Sequence, residues 1–199
     1  MKIKSLLAGA SIVLGAVVAL AADRALTQMI EAYKAEYQAA HRYDAFAQQA
    51  QEEGYPAVAR LFRAASQAER IHRDALRTAV RTLGGNPPEL ASAPVKPAAT
   101  RQNLEKVIKS ERGEAQKSYP RLLGLLKNKP NAAAAVRIVE YALAAEKQHC
   151  QLFEEALSDL GKNKMTTYSV CPVCSHLAIG KSEAACPGCK TDKPAVEVR

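Results

Sequence analysis

The 199-residue sequence contains no tryptophan and only three phenylalanines, and aromatic residues make up just 5% of it. So small an aromatic supply, beside abundant alanine, argues against a β-sandwich and for packed helices. It also leaves no ring platform for stacking bases. The 28 basic residues outnumber 20 acidic ones, but those from Arg42 to Arg81 are scattered, so they read as a solvated face and no nucleic-acid partner is expected. Long apolar runs are missing beyond the first two dozen residues, which excludes a polytopic membrane protein. Cysteine is nearly absent from the body of the chain, four of the five lying after Lys164. Hydrophobic content, at 48%, is ordinary, and that excludes wholesale disorder.

The first residues read as an address. Lys2 and Lys4 precede an apolar run from Leu6 to Ala22 that closes on Ala19-Leu20-Ala21. A positive start, a hydrophobic middle and a small-x-small end describe a secretory signal peptide, expected to be cut after Ala21. The glycine and alanine in the run make it a weak membrane anchor. The processed chain is therefore expected to be exported, in a periplasm, with no stable membrane insertion.

Four helical stripes follow. Asp23 stands as an N-cap, and apolar residues recur in steps of three and four from Leu26 to Ala50, until Gly54-Tyr55-Pro56 breaks the helix. A second stripe runs from Val58 to Leu83 and ends at Gly84-Gly85, opening a Pro/Ala-rich connection to about Gln102. A third, from Leu104 to Leu125, is interrupted by Pro120, and a fourth runs from Ala135 to Leu160. Hairpin, long connection, hairpin predicts an all-α fold, a ferritin-like four-helix bundle with one long crossover. The expected division is signal peptide 1–21, bundle 22–163, and a small cysteine-bearing ribbon over 164–199.

Acids and imidazoles fill gaps in the apolar stripes: Glu36 on the first helix, Glu69 and His72 on the second, Glu111 and Glu114 on the third, Glu146 and His149 on the fourth. Buried carboxylates are costly unless paired or metal-bound. At about 1.5 Å per residue, all seven groups are predicted to fall in one layer roughly 20–30 Å from the hairpin turns. The separations also repeat, Glu36 to Glu69 being 33 residues and Glu111 to Glu146 being 35, as in a duplicated hairpin. Two Glu-x-x-His pairs facing lone glutamates form the ligand pattern of di-iron and di-manganese carboxylate sites. Oxygen-rich ligation with two imidazoles suits iron or manganese.

Cys171-Pro172-Val173-Cys174 and Cys186-Pro187-Gly188-Cys189 are paired knuckles of the kind that hold iron or zinc in a tetrahedral thiolate site. In an oxidising compartment the alternative is two disulfides. Cys150 projects about 100° away from His149 around the helix and is expected to pack and not to ligate. His41 and His176 are expected at the surface or as caps.

These residues resemble the rubrerythrin family. The resemblance rests on Glu36-x-Gln38-Ala39-x-x-Arg42-Tyr43, Glu52-Glu53-Gly54-Tyr55-Pro56 and Glu69-Arg70-Ile71-His72 in the first hairpin. Asn103-Leu104-Glu105, Glu111-x-x-Glu114, Tyr119-Pro120 and Glu146-Lys147-Gln148-His149 carry it in the second, and the four cysteines match a rubredoxin-like tail. It implies a peroxidase reducing hydrogen peroxide to water at two non-haem Fe ions, with electrons passing through one Fe (or Zn) in the four-cysteine site, commonly across a head-to-tail homodimer. Carried over, Glu36, Glu69, Glu111, Glu146 and His149 are permanent iron ligands, Glu69 and Glu146 bridging. His72 and Glu114 are alternative ligands of one iron, in the reduced and oxidised states respectively. Tyr43 and Tyr119 hydrogen-bond ligand carboxylates.

The knuckles depart from the family pattern, with Ser175 and Lys190 where glycine is usual, His176 where an aromatic is usual, and Ala195-Val196 replacing another aromatic. Export implies an electron donor such as a c-type cytochrome or rubredoxin-like carrier. The competing readings are an iron-handling ferroxidase using O2, and a zinc-ribbon interaction protein without turnover.

Overall fold

The computed structural model describes residues 8–181 and 185–198, and for residues 8–23 the backbone alone. Residues 1–7 of the expected leader lie outside the described residues. Helix α1, Ala8–Glu52, is continuous through Asp23, so Asp23 is not an N-cap. No proline interrupts this stretch and alanine is the best helix former, so nothing local ends the helix there.

Gly54 closes the first hairpin in the left-handed conformation, φ 82°, and α2, Pro56–Thr82, starts with proline in its first turn, where no backbone N–H is needed. The crossover then runs back along α1, with Tyr33 Oη donating to the Pro88 carbonyl (3.5 Å) and Gln38 Nε2 to that of Ala91 (3.3 Å). It is pinned where α3, Thr100–Gly113, begins. Glu53 Oε2 accepts the Thr100 N–H at 2.8 Å, and the Asn103 amide pairs with both backbone groups of Ala98. A five-residue π-helical turn, Glu114–Ser118, leads into α4, Tyr119–Leu126, and α5, Ala133–Ser158, completes the second hairpin.

The expected interruption at Pro120 is displaced. Pro120 sits in the first turn of α4, and the irregularity precedes it as the π turn. Proline removes a donor and crowds the carbonyl four residues back, and a widened turn relieves both.

Two apolar cores flank a polar layer. One holds all three phenylalanines, Phe46, Phe62 and Phe153, stacked with Tyr43. The other gathers Met29, Leu76, Leu122, Leu126 and Val139. After α5 comes a three-stranded antiparallel ribbon in the order β2-β1-β3: β1 Tyr168–Val170, β2 Leu177–Ile179 and β3 Val196–Val198. Among the described residues no helix is long and apolar enough to cross a membrane.

Candidate metal centres

Four helices deliver their donors to the layer between the two cores. Glu36 comes from α1, Glu69 and His72 from α2, Glu111 from α3, and Glu146 and His149 from α5, none more than 3% exposed. A Glu-x-x-His pair on a helix places both side chains on one face a turn apart, which is why α2 and α5 each supply an oxygen and a nitrogen. The donors form two sets. Glu36, Glu69, His72 and Glu146 make one, and Glu69, Glu111, Glu146 and His149 the other, the donor atoms of each within 4.8 Å of one another. Glu69 and Glu146 belong to both, so they lie between two cation positions. The two imidazoles stand 5.9 Å apart, ring centre to ring centre.

One donor pair satisfies itself, His72 Nδ1 hydrogen-bonding with Glu69 Oε2 at 2.8 Å, but most of the remaining donor atoms leave one another unpaired. His149 Nδ1 has Glu69 Oε1 and Glu146 Oε2 each at 3.3 Å and Glu111 Oε2 at 3.7 Å, yet none of these contacts has hydrogen-bond geometry. Glu36 Oε2, His72 Nε2 and His149 Nε2 are also buried without a partner. Natural interiors pair their buried polar atoms, so a cluster of orphaned lone pairs at one spot fits two bound cations. The electrostatics agree. Burial, reinforced by repulsion from neighbouring carboxylates, pushes Glu36 and Glu146 well above the usual carboxylate range. Burial would raise Glu69 and lower His149, but their attraction reverses both, lowering the acid and raising the imidazole.

Each lone glutamate is held by a tyrosine from the opposite hairpin. Tyr43 Oη donates to Glu111 Oε1, and Tyr119 Oη to Glu36 Oε1. Burial and the adjacent carboxylates keep both phenols protonated, and hence donors. Glu36 precedes Tyr43 by seven residues while Glu111 precedes Tyr119 by eight. The π turn absorbs the extra residue and returns Tyr119 to the face it would have in a regular helix.

Glu114 does not join either donor set. It is partly exposed and accepts the Ser110 hydroxyl at 3.3 Å, with burial and repulsion from Glu111 and Glu69 raising its pKa to about 8. It lines two openings. One, of about 300 Å³, leads in past Gln28, Glu31, Glu36 and Tyr119. The other, of about 600 Å³, is rimmed by Arg42, Lys106, Lys109 and Lys117.

In the ribbon the four cysteine sulfurs also lie within 4.8 Å of one another, with Cys171–Cys189 at 3.6 Å and Cys174–Cys186 at 3.5 Å. All are free thiols, so the disulfide alternative is not realised. A tetrahedral site with metal–sulfur bonds of about 2.3 Å needs sulfurs about 3.8 Å apart, close to these spacings. The knuckles are built alike. Ser175 N–H bonds the Cys171 carbonyl at 3.0 Å and Lys190 N–H that of Cys186 at 2.8 Å, with Ser175 at φ 62° and Lys190 at φ 61°. The positions where glycine was expected do need the left-handed conformation.

The family model for rubrerythrin matches residues 29–157, most of the bundle and all of its donors. The chain belongs to the rubrerythrin family. Among curated rubrerythrin relatives, rubrerythrin-2 of Clostridium acetobutylicum is 29% identical over 165 residues, 81% of this chain and 89% of that protein. Nigerythrin of Nitratidesulfovibrio vulgaris is 29% identical over 153 residues, 74% of this chain and 73% of that one. A solved structure of nigerythrin, fully reduced and all ferrous, superposes with a TM-score of 0.77 at 27% identity, covering 87% of this chain and 86% of that one. A bacterioferritin of Desulfovibrio desulfuricans, with a TM-score of 0.63 at 18% identity over 71% of this chain and 82% of that one, shares the ferritin-like fold.

For this rubrerythrin-family chain, then, six of the seven expected bundle donors meet, and the seventh, Glu114, stays at the rim. Tyr43 and Tyr119 reach the carboxylates, and the four cysteines converge. Cys150 is buried with its Sγ 3.4 Å from Glu154 Oε1, apart from the donors, and His41 stacks edge-on against Tyr37. His176, expected at the surface or as a cap, joins no donor set. It is half-buried against α5, where burial and repulsion from His149 lower its pKa. Sequence reasoning missed the π turn, whose one trace was the seven-against-eight spacing. It also missed the roles of Glu53 and Asn103 in anchoring α3.

Proposed function

We propose that the chain is an exported non-haem di-iron peroxidase, with residues 22–163 as the reacting bundle and 164–199 as the point of electron entry. The observation that carries this is the pairing, in one chain, of two donor sets sharing Glu69 and Glu146 with a complete four-thiol site. Iron held by the two donor sets would supply the two electrons that hydrogen peroxide needs to become two waters, and iron held by Cys171, Cys174, Cys186 and Cys189 would return them one at a time. The chain's own groups prepare this. Tyr43 and Tyr119 fix Glu111 and Glu36 in orientation, and the flanking cores keep bulk water out. The opening beside Glu114, of about 300 Å³, has room for a molecule the size of peroxide. His72 lies inside a donor set and Glu114 just outside it. That is the arrangement expected if the two alternate, imidazole suiting Fe(II) and carboxylate the harder Fe(III).

The test is anaerobic mixing of the reduced, iron-loaded mature protein with one equivalent of peroxide. Red Fe(III)-thiolate absorption within seconds is the expected result. Oxidation by O2 faster than by peroxide, with ferric iron released, would install the iron-handling reading instead. Zinc in the thiolate site and no turnover would install the interaction-protein reading. Export rests on Lys2, Lys4 and the run Leu6–Ala22, and it makes a c-type cytochrome or rubredoxin-like carrier the donor. The intact mass of the protein isolated from its native cell checks this: loss of residues 1–21 is expected, and a full-length cytosolic chain would refute it.

A further inference from the structure

Four cations ring the larger of the two openings beside Glu114. Lys106 and Lys109 of α3, Lys117 of the π turn and Arg42 of α1 line one cavity of about 600 Å³, with Glu114 as the one acid of its wall. Among the described residues none of the four makes an ion pair, whereas Arg70, Arg73 and Arg112 elsewhere on the bundle are each paired with an acid. Unpaired charges of one sign around one space concentrate an anion there. The lining is also apolar in part, because Val107 is buried at it and lysine stems are hydrocarbon. Gly113 completes the wall. It stands where α3 runs on into the π turn, a place where glycine weakens a helix. A Cβ added to it would meet nothing within 4 Å, so the missing side chain widens the cavity and relieves no clash. Glu114 and Ser118 line this cavity and the smaller opening that reaches Glu36, so the cavity ends beside the donor layer.

We propose that this cavity is a binding site for organic anions, and that the substrates it admits are hydroperoxides bearing a carboxylate, held with the carboxylate on the lysines and the peroxide end towards Glu114. The substrate class rests on the proposed function; the anion site does not. The cavity falls in the range of small-molecule sites, about 300–1,000 Å³, and hydrogen peroxide alone would fill little of it. An inorganic anion has no use for Val107 and the lysine stems, and an acidic protein face calls for cations spread over a surface and not around a hollow. In the reaction the O–O bond breaks. The hydroperoxide takes up two protons, and two electrons from the source that serves hydrogen peroxide, and leaves as the alcohol and one water.

Two measurements test this on the iron-loaded full chain. In the first, octanoate, octan-1-ol and inorganic phosphate are titrated in by calorimetry. Octanoate is expected to bind most tightly, and less so as salt is raised. The double variant Lys106→Ala/Lys109→Ala should weaken it about tenfold, the scale of two exposed charge contacts. Gly113→Leu should abolish it by filling the space, and not by unfolding, since leucine is the better helix former. Octanoate held no better than octan-1-ol, or equally well by both variants, would overturn the site. Phosphate held as tightly as octanoate would overturn its organic class. In the second, linoleic acid hydroperoxide, its methyl ester and hydrogen peroxide are compared as oxidants. The acid should be reduced with a higher kcat/KM than the ester, and the double variant should lower that value about tenfold with hydrogen peroxide turnover unchanged. Octanoate binding with reduction of hydrogen peroxide but not of the hydroperoxy acid would overturn the substrate class. Octanoate binding with no oxidant reduced would refute the peroxidase reading, and the substrate class with it, and leave the anion site standing.

Discussion

Tyr43 and Tyr119 each hold a carboxylate that arrives from the other hairpin, so each hydrogen bond both orients a donor and ties the two halves together. Tyr43→Phe or Tyr119→Phe leaves a buried carboxylate oxygen unpaired, and iron affinity in an anaerobic titration should drop about 10- to 100-fold. The same variants should show little change in helical content. At the ribbon, Ser175 and Lys190 occupy left-handed positions that glycine adopts freely, and the Ser175 hydroxyl is also buried without a partner. Ser175→Gly and Lys190→Gly should each stabilise the knuckle by about 1 kcal/mol, seen as slower release of the thiolate metal to a chelator on heating.

Among the elements, the helix holding Glu111 and Tyr119 departs from its pseudo-twofold partner in one respect. The π turn Glu114–Ser118 gives it an additional residue between donor and tyrosine. Deleting the exposed Gln116 should convert the turn to regular α-helix and keep Tyr119 in phase, so iron binding survives while the wall of the Glu114 opening changes and turnover falls. The matching deletion in α1, of His41, has no bulge to absorb it and rotates Tyr43 by about 100°. Iron titration and circular dichroism of the two deletions should therefore differ, with binding retained in the first and lost in the second.

At the scale of the whole molecule, the polar layer divides the hydrophobic interior, and the metal-free bundle bears its cost. Burial raises Glu36, Glu114 and Glu146 above their unfolded values, Glu114 to about 8, and His149 is raised by its neighbouring acids. Groups with raised pKa stabilise the fold while protonated and lose that contribution as pH rises towards the folded pKa. Glu69, which is lowered, acts oppositely but only below about pH 4. The metal-free protein should thus be less stable at pH 8 than at pH 5, by on the order of 3 kcal/mol in urea unfolding. Loading with iron should abolish or reverse the difference, because the cations take the place of the protons.

The sequence alone determined what is local. Stripe periodicity, the Gly54-Tyr55-Pro56 break, the Glu-x-x-His pairs and the Cys-x-x-Cys knuckles depend on neighbours within a few residues, and each was legible in the order of the residues. The matched heights of Glu36, Glu69, Glu111 and Glu146 followed as well, because a helix converts residue number into length at a constant rise. Tertiary structure decided the rest. It widened one turn to bring Tyr119 into phase, and held His72 in a donor set with Glu114 outside. Those outcomes depend on contacts between distant segments and on a re-phasing by a single residue, to which a periodic pattern is blind.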